Sequence, residues 1–318
     1  REDELRYCIS CMNCFNVNPF SYEQTNCSVN PFALREGSKR PIVQDGDGRL
    51  VAVIGAGPAG MEAAVTLKQR GFDVVVFDKR DEIGGNLHVA KKPPFKGKFE
   101  WAIDYYKSMA KKLNITMKLG KEVTAQEVLA LKPYSILVAT GSNVISIPLE
   151  GLDQVQTVQA HDVLANDMQF ANKKVVVIGG GITGLETALY INRQGTNQVS
   201  VVDMLPEWPV DMLDMRYQNE ALLEVRHCND QGVALFYNNK VVKFADGKLF
   251  IESTKDGEVK ELPADVIVLS VGVKPNDALW QELLASGHPS VCKAGDAIAT
   301  GKINKAVLHG SKFGYSLN

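Results

Sequence analysis

The sequence predicts an α/β protein: two copies of a strand–turn–helix–strand unit, preceded by a segment that is mostly loop. Three observations predict it. Apolar runs end in glycine turns and give way to helix-like segments, one such unit recurs at a fixed offset, and the first 46 residues are rich in Cys, Asn and Pro with little periodicity. The recurrence decides the architecture. VAVIGAGPAGMEAAVTLKQRGFDVVVFDK (51–79) returns as VVVIGGGITGLETALYINRQGTNQVSVVDM (175–204). Gly55, Gly57 and Gly60 map onto Gly179, Gly181 and Gly184, Glu62 onto Glu186, and Gly71 onto Gly195. Each copy has the period change of a strand followed by a helix and a second strand.

The bulk properties bound the rest. A chain of 318 residues suits about two domains of ~150 residues. A net charge of −2 gives no electrostatic reason to expect nucleic acid or a membrane surface as partner. No apolar run reaches the ~18–20 residues that span a bilayer. The chain opens on REDELRYC without Met and closes inside the helix-like KAVLHGSKFGYSLN, so it is expected to be a piece of a longer protein. Of six Cys, four lie in the first 27 residues, while Cys228 and Cys292 stand alone. A disulfide framework suits a small secreted chain, so the reducing cytoplasm is the expected compartment.

Cys8, Cys11 and Cys14 are spaced two residues apart and Cys27 follows after twelve. Three thiolates so close can wrap three corners of a 4Fe–4S cubane and leave the fourth to a more distant Cys. A structural zinc also takes C-x2-C pairs, but it wants two pairs across a long spacer and would leave one of these thiols redundant.

In the first unit, Gly55 permits the tight turn after the strand, Gly57 lets backbone amides approach a pyrophosphate, and Gly60 allows close helix–strand contact. The helix starting near Pro58 turns free N–H groups and a positive dipole toward that phosphate. Asp78 ends the second strand, where a carboxylate accepts from ribose hydroxyls. Gly179, Gly181, Gly184 and Asp203 repeat the logic, which makes both units Rossmann-like. After the first unit, EIGGNL (82–87) places Gly84 and Gly85 where backbone approaches a bulky ligand. Helical spacing runs from Phe99 to Leu113, and YSILVATG (134–141) reads as a buried strand ending in a turn. Strand patterns with DG turns follow the second unit, and the chain closes with a short strand, the loop AGDA (294–297) and a helix. AGDA suggests that the first domain is completed by the C-terminus, with Asp296 on the ribityl chain of a flavin. The second unit lacks such accessories and suits a mobile nicotinamide. Asp203 would repel a 2′-phosphate and no Arg or Lys follows until Arg216, which favours NADH over NADPH.

Taken together, C-x2-C-x2-C-x12-C with SVNP, VIGAGPAGMEAA, EIGGNL, ATG, VIGGGITGLETA and AGDA resemble the C-terminal half of the 2,4-dienoyl-CoA reductase, 2-enoate reductase and trimethylamine dehydrogenase group. The resemblance implies two Rossmann-like domains in a disulfide-reductase-like arrangement after a loop-rich iron–sulfur segment. It assigns 1–46 to the cluster, 47–165 plus 265–318 to a discontinuous FAD-binding domain, and 166–264 to an NAD(H)-binding domain. It implies cluster ligands Cys8, Cys11, Cys14 and Cys27. For FAD it implies Gly55 with Ala56, Gly57, Pro58, Ala59 and Gly60, then Asp78 and Lys79, then Gly85, Asn86 and Leu87, with Val123, Ala139, Thr140, Gly141, Gly295 and Asp296. For the nicotinamide it implies Gly179, Gly181, Ile182, Thr183, Gly184, Asp203 and Gly272. Members carry an N-terminal barrel holding FMN and the substrate, which would make that barrel a partner within the same polypeptide. The implied path runs from NADH through FAD and the cluster to FMN and an activated C=C bond. No residue here is implied as catalytic.

Two other readings stay open at this point: an electron-transfer module with structural ADP in the first site, and a zinc-stapled nucleotide-binding interaction protein. The sequence leaves a homo-oligomer open as well. His88, His161, His227, His288 and His309 show no ligand spacing and read as structural or solvated, with His309 near the flavin if the last helix is. Lys91, Lys92, Lys96 and Lys98 read as a solvated loop. Cys228 and Cys292 read as buried small apolar side chains.

Overall fold

The computed structural model describes residues 2–14, 26–33, 36–38, 41–206 and 215–318. After the cysteine segment come β1 (Leu50–Ile54), α1 (Pro58–Gln69), β2 (Asp73–Phe77), α2 (Leu87–Ala90), α3 (Glu100–Lys112), β3 (Thr116–Lys118), α4 (Ala125–Ala130) and β4 (Ser135–Val138). The chain leaves through β5 (Ser142–Val144) into β6 (Gln156–Gln159), α5 (Ala160–Ala165), β7 (Lys174–Ile178), α6 (Ile182–Asn192), β8 (Gln198–Val202), α7 (Met215–Asp230) and β9 (Ala234–Phe236). Then follow β10 (Asn239–Ala245), β11 (Lys248–Ser253), β12 (Val259–Pro263), β13 (Val266–Leu269), β14 (Val273–Pro275), α8 (Ala278–Ala285), β15 (Val291–Lys293) and α9 (Ile303–Ser316).

Two five-stranded parallel sheets organise the molecule, ordered β15-β4-β1-β2-β3 and β6-β13-β7-β8-β9. Their central strands are unbroken apolar runs because a parallel sheet is covered on both faces. The two-residue side-chain period sorts each run into two cores. Val51 and Val53 face Met61 and Leu67 of α1, while Ala52 and Ile54 share the opposite core with Ile136, Val138 and Leu283. In the second sheet Val175 and Val177 face Leu185 and Leu189 of α6. There Val176 and Ile178 meet Phe244, Leu249 and Ile251 instead, so an antiparallel layer, β10-β11-β12, replaces helices on that face.

The division of the chain differs from the expected one. β13, assigned by sequence to the first domain from residue 265, pairs with β6 and β7 inside the second sheet. β6 and α5, placed before residue 166, also belong there. The crossing points are β5 and β14, which pair antiparallel with Ser142 opposite Pro275. The C-terminus does complete the first domain, since β15 pairs with β4.

The cysteine segment is docked rather than free. Arg6 donates two bonds to Glu62 of α1, at 2.7 and 2.9 Å, and a third at 2.6 Å to the Val29 carbonyl. Tyr106 of α3 donates to the same carboxyl at 3.1 Å. Ile9 and Val29 are buried against Leu87, Phe99, Ala102 and Ile103, with Cys11 and Cys27 packed on this cluster.

Candidate functional site

Both glycine turns are built the same way. Gly55 (φ +112°) and Gly179 (φ +109°) admit no side chain, because a Cβ would stand 2.2 Å from the Ala139 carbonyl oxygen or 2.3 Å from that of Ser270. Gly57 and Gly181 are different. Their backbone is extended (φ −76° and −67°), which any residue adopts. A Cβ on Gly57 would find nothing nearer than the Gly85 Cα at 3.8 Å, and one on Gly181 would find nothing within 4 Å. Neither conformation nor internal packing calls for glycine at these two positions. A phosphate approaching the backbone from outside would. Each is the N-cap of its helix without a side-chain cap, so the first N–H groups of α1 and α6 are open to an anion. The residues therefore fit a pyrophosphate at both turns.

The two aspartates match equally well. Asp78 accepts from the Ala56 N–H at 2.6 Å and the Arg80 N–H at 2.8 Å. Asp203 accepts from the Gly180 N–H at 2.6 Å and the Leu205 N–H at 2.8 Å. Each locks the end of a strand to its glycine turn and keeps acceptor capacity for ribose hydroxyls.

In front of the first turn opens a cavity of about 530 Å³, within the range of cofactor sites. Its wall contains Gly55, Gly57, Pro58, Ala59, Asp78, Lys79, Gly85, Asn86, Val123, Ala139, Thr140, Gly141, Gly295 and Asp296. Three expected residues stand back from it. Ala56 gives its N–H to Asp78. Gly60 makes room for the Gly55 carbonyl oxygen, 1.9 Å from where its Cβ would lie. Leu87 points into the cluster under the cysteines, where it forms a floor for the thiols.

Sequence reasoning missed Arg80, Lys121 and His161 in the same wall. His161 lies 3.3 Å from Arg80 Nη2 across a separation of 81 residues, which no local pattern signals. Asp296 accepts from the Gly301 N–H at 3.1 Å and the Ser142 hydroxyl at 3.4 Å, and burial raises its carboxyl above the ordinary value. Burial lowers His309, as do Lys312 and Lys305, and its buried Nδ1 has no partner among the described residues.

At the second turn, Ile182 and Thr183 open α6 and Gly184 packs against the Gly179 carbonyl oxygen. Gly272 (φ +103°) follows β13, and its carbonyl accepts from the Ile145 N–H at 3.0 Å. Arg216 starts in α7, but its side chain is outside the described residues. The lysines expected to be solvated are cross-links. Lys91 binds Glu100, Lys92 binds Asp167, and Lys98 reaches the Ser10 hydroxyl at 3.1 Å. Lys96 binds Glu186 and, at 3.3 Å, Glu220, which also meets Lys302 at 2.5 Å. Burial raises Glu186 to about 7 against the pull of Lys96, and Glu224 and Glu220 push the same way.

All six cysteines are free thiols. Cys228 is buried under the second sheet and pushed up to about 12 by burial. Cys292 is exposed, contrary to expectation, because β15 is a sheet edge. The thiol of Cys14 is raised by burial and then by the charges of Cys27, Cys11 and Cys8, so the four lie within electrostatic reach of one another. Asn13 ties their loops together, donating to the backbone and side-chain oxygens of Asn26 at 2.8 and 2.9 Å. Among the described residues no group of three or more His, Cys, Asp or Glu is arranged to hold a metal ion. The donor set is nonetheless all sulfur and mutually repelling. Cationic iron reverses such repulsion, and an iron–sulfur cluster fits these donors.

Comparison with known proteins agrees with this geometry. Residues 49–289 match the family described as pyridine nucleotide-disulphide oxidoreductase. The chain is 32% identical over 326 aligned positions to an NADH oxidase of Thermoanaerobacter brockii, covering 100% of this chain and 48% of the relative. It is 28% identical over 288 positions to a cinnamate reductase of Clostridium sporogenes, covering 88% of this chain and 41% of that one. The structure of 2-naphthoyl-CoA reductase with 2-naphthoyl-CoA superposes with a TM-score of 0.89 at 28% identity, over 100% of this chain and 47% of the other. The chain spans about half the length of these relatives.

Proposed function

Because this chain belongs to the pyridine nucleotide-disulphide oxidoreductase family, we propose that it is the electron-input portion of an NADH-dependent iron–sulfur flavoprotein reductase. The observation that carries this reading is the sharing of α1. Its N-terminus faces the first cavity, and its Glu62 is the anchor of the cysteine segment. One rigid helix thus fixes the flavin cradle and the four thiols in a common frame.

The first turn and its cavity would hold FAD, the second turn the nicotinamide dinucleotide, and Cys8, Cys11, Cys14 and Cys27 the 4Fe–4S cluster. When bound, FAD accepts the two electrons of a hydride and the cluster carries electrons singly. The chain's own residues do the rest. Gly57 and Gly181 let amides close on phosphate, Asp78 and Asp203 hold the riboses, and Asp296 meets the ribityl side. Asp203 also supports NADH over NADPH, since the exposed Met204 and Leu205 that follow it bring no cation to a 2′-phosphate.

The final acceptor belongs to the remainder of a longer polypeptide. We assign it to an FMN-bearing N-terminal barrel that reduces an activated C=C bond, as the names of the cinnamate and naphthoyl-CoA relatives support. No described helix is long and apolar enough to cross a membrane. The free thiols support a reducing compartment such as the cytoplasm.

Anaerobic purification followed by acid release tests the assignment. FAD with iron and acid-labile sulfide is the expected content, and NADH should reduce artificial acceptors while alkenes stay untouched. Release of ADP instead of FAD, or zinc without iron, overturns it.

A further inference from the structure

Resting on the iron–sulfur reading above, we infer that Ser28 is a positioning residue that raises the reduction potential of the cluster through one O–H···S hydrogen bond to Cys11. Ser28 is only 3% exposed, and its hydroxyl oxygen lies 3.1 Å from the Cys11 sulfur. Among the described residues that sulfur is the hydroxyl's partner. A buried hydroxyl needs one. In the free protein the thiol S–H donates to the serine oxygen. A metal-bound thiolate has no proton to give, so the hydroxyl must turn and donate to it.

The position of the hydroxyl is fixed from both sides. Ser28 follows Cys27 directly, and the next residue, Val29, is buried with its carbonyl held by Arg6 at 2.6 Å. Arg6 is itself locked on Glu62. The donor is therefore preorganised. Among the described residues the other hydrogen bond to a cysteine of this segment, from the Ser10 N–H to the Cys8 sulfur, is exposed and longer, at 3.4 Å. Water screens such a bond, whereas a buried dipole acts in a low local dielectric. A donor aimed at a ligand sulfur stabilises the more negative, one-electron-reduced state more than the oxidised one. Its loss should make the cluster harder to reduce without changing its ligands.

The test uses the whole chain, purified anaerobically, with the reduced cluster followed by EPR at poised potentials. At the wild-type midpoint, Ser28→Ala should lower the reduced-to-oxidised ratio about tenfold, equivalent to about 59 mV for one electron. Ser28→Thr, which keeps the hydroxyl, should stay within about twofold of wild type, under ~20 mV. Equal midpoints for wild type and Ser28→Ala, with iron and sulfide retained, overturn this inference and leave the functional reading standing. Absence of iron from the wild-type chain overturns the functional reading itself, and this with it. Should Ser28→Ala retain little iron, Ser28→Val and Ser28→Thr decide. They share a shape and differ in the hydroxyl, so a lower midpoint for Val supports the bond and equal midpoints refute it.

Discussion

Glu62 and Glu186 occupy the same place in two copies of one unit, and their surroundings differ. Glu62 is gripped by a two-pronged arginine and a tyrosine hydroxyl. Glu186 has a single lysine, shared with Glu220, and burial, with Glu224 and Glu220 adding to it, raises its carboxyl to about 7 against the pull of that lysine. A guanidinium matches a carboxylate along both oxygens, while an ammonium is one point charge on a flexible stem. The repeat therefore specifies a buried glutamate twice. What docks on it specifies its role: an anchor for the cysteine segment in one copy, and a pH-sensitive tie between the two halves in the other.

Removing the anchor should have the largest effect. Arg6→Ala leaves the Glu62 carboxyl buried without its partner and should cost about 3–5 kcal/mol in urea unfolding. The same variant should lose iron while keeping FAD. A stable variant with full iron content would show that the segment is held by its apolar contacts alone.

The next test concerns pH. The folded-state value for Glu186, about 7, lies above its ordinary 4.5. Between those values the folded state binds more protons than the unfolded state, so stability falls as pH rises. The contribution is fully present below 4.5 and is lost as pH passes through about 7. Wild type should therefore lose about 2–3 kcal/mol relative to Glu186→Gln between pH 5 and pH 8. Parallel stability curves for the two proteins would contradict this.

How much of this was legible beforehand follows from the range over which each signal acts. Glycine turns, their aspartates and the apolar runs are local, and Gly55, Asp78, Gly179 and Asp203 could be read directly. β13 could not, because Val266–Leu269 is the same buried parallel run whichever sheet receives it. The lysines from 91 to 98 read as a solvated loop because most of their partners are distant: Asp167, Glu186 and Glu220 lie tens of residues away in sequence. Leu87 was expected at the flavin from the family resemblance, yet its side chain is buried beneath the cysteines, since the first turn of a helix sends neighbouring side chains in different directions. The grip of Arg6 on Glu62 spans 56 residues and has no motif at all.

A milder comparison sets the two open glycines against each other. Gly57→Ala and Gly181→Ala meet no clash, so each should leave the cofactor-free fold unchanged or up to about 1 kcal/mol more stable. Their ligands should separate them. Gly57→Ala should purify poor in FAD, whereas Gly181→Ala should keep FAD and bind NADH about 10–100-fold more weakly. The smallest effect belongs to Lys92→Ala. Its pair with Asp167 bridges the halves at the surface, and its loss should cost under about 1 kcal/mol.

Thiols and flavin cradle form one circuit through α1 in this reading, and EPR of the anaerobic chain after excess NADH probes that circuit. The expected result is bleaching of the flavin absorbance together with the signal of a one-electron-reduced cluster. A flavin that bleaches while the iron stays EPR-silent, or a preparation with zinc in place of iron, would contradict it.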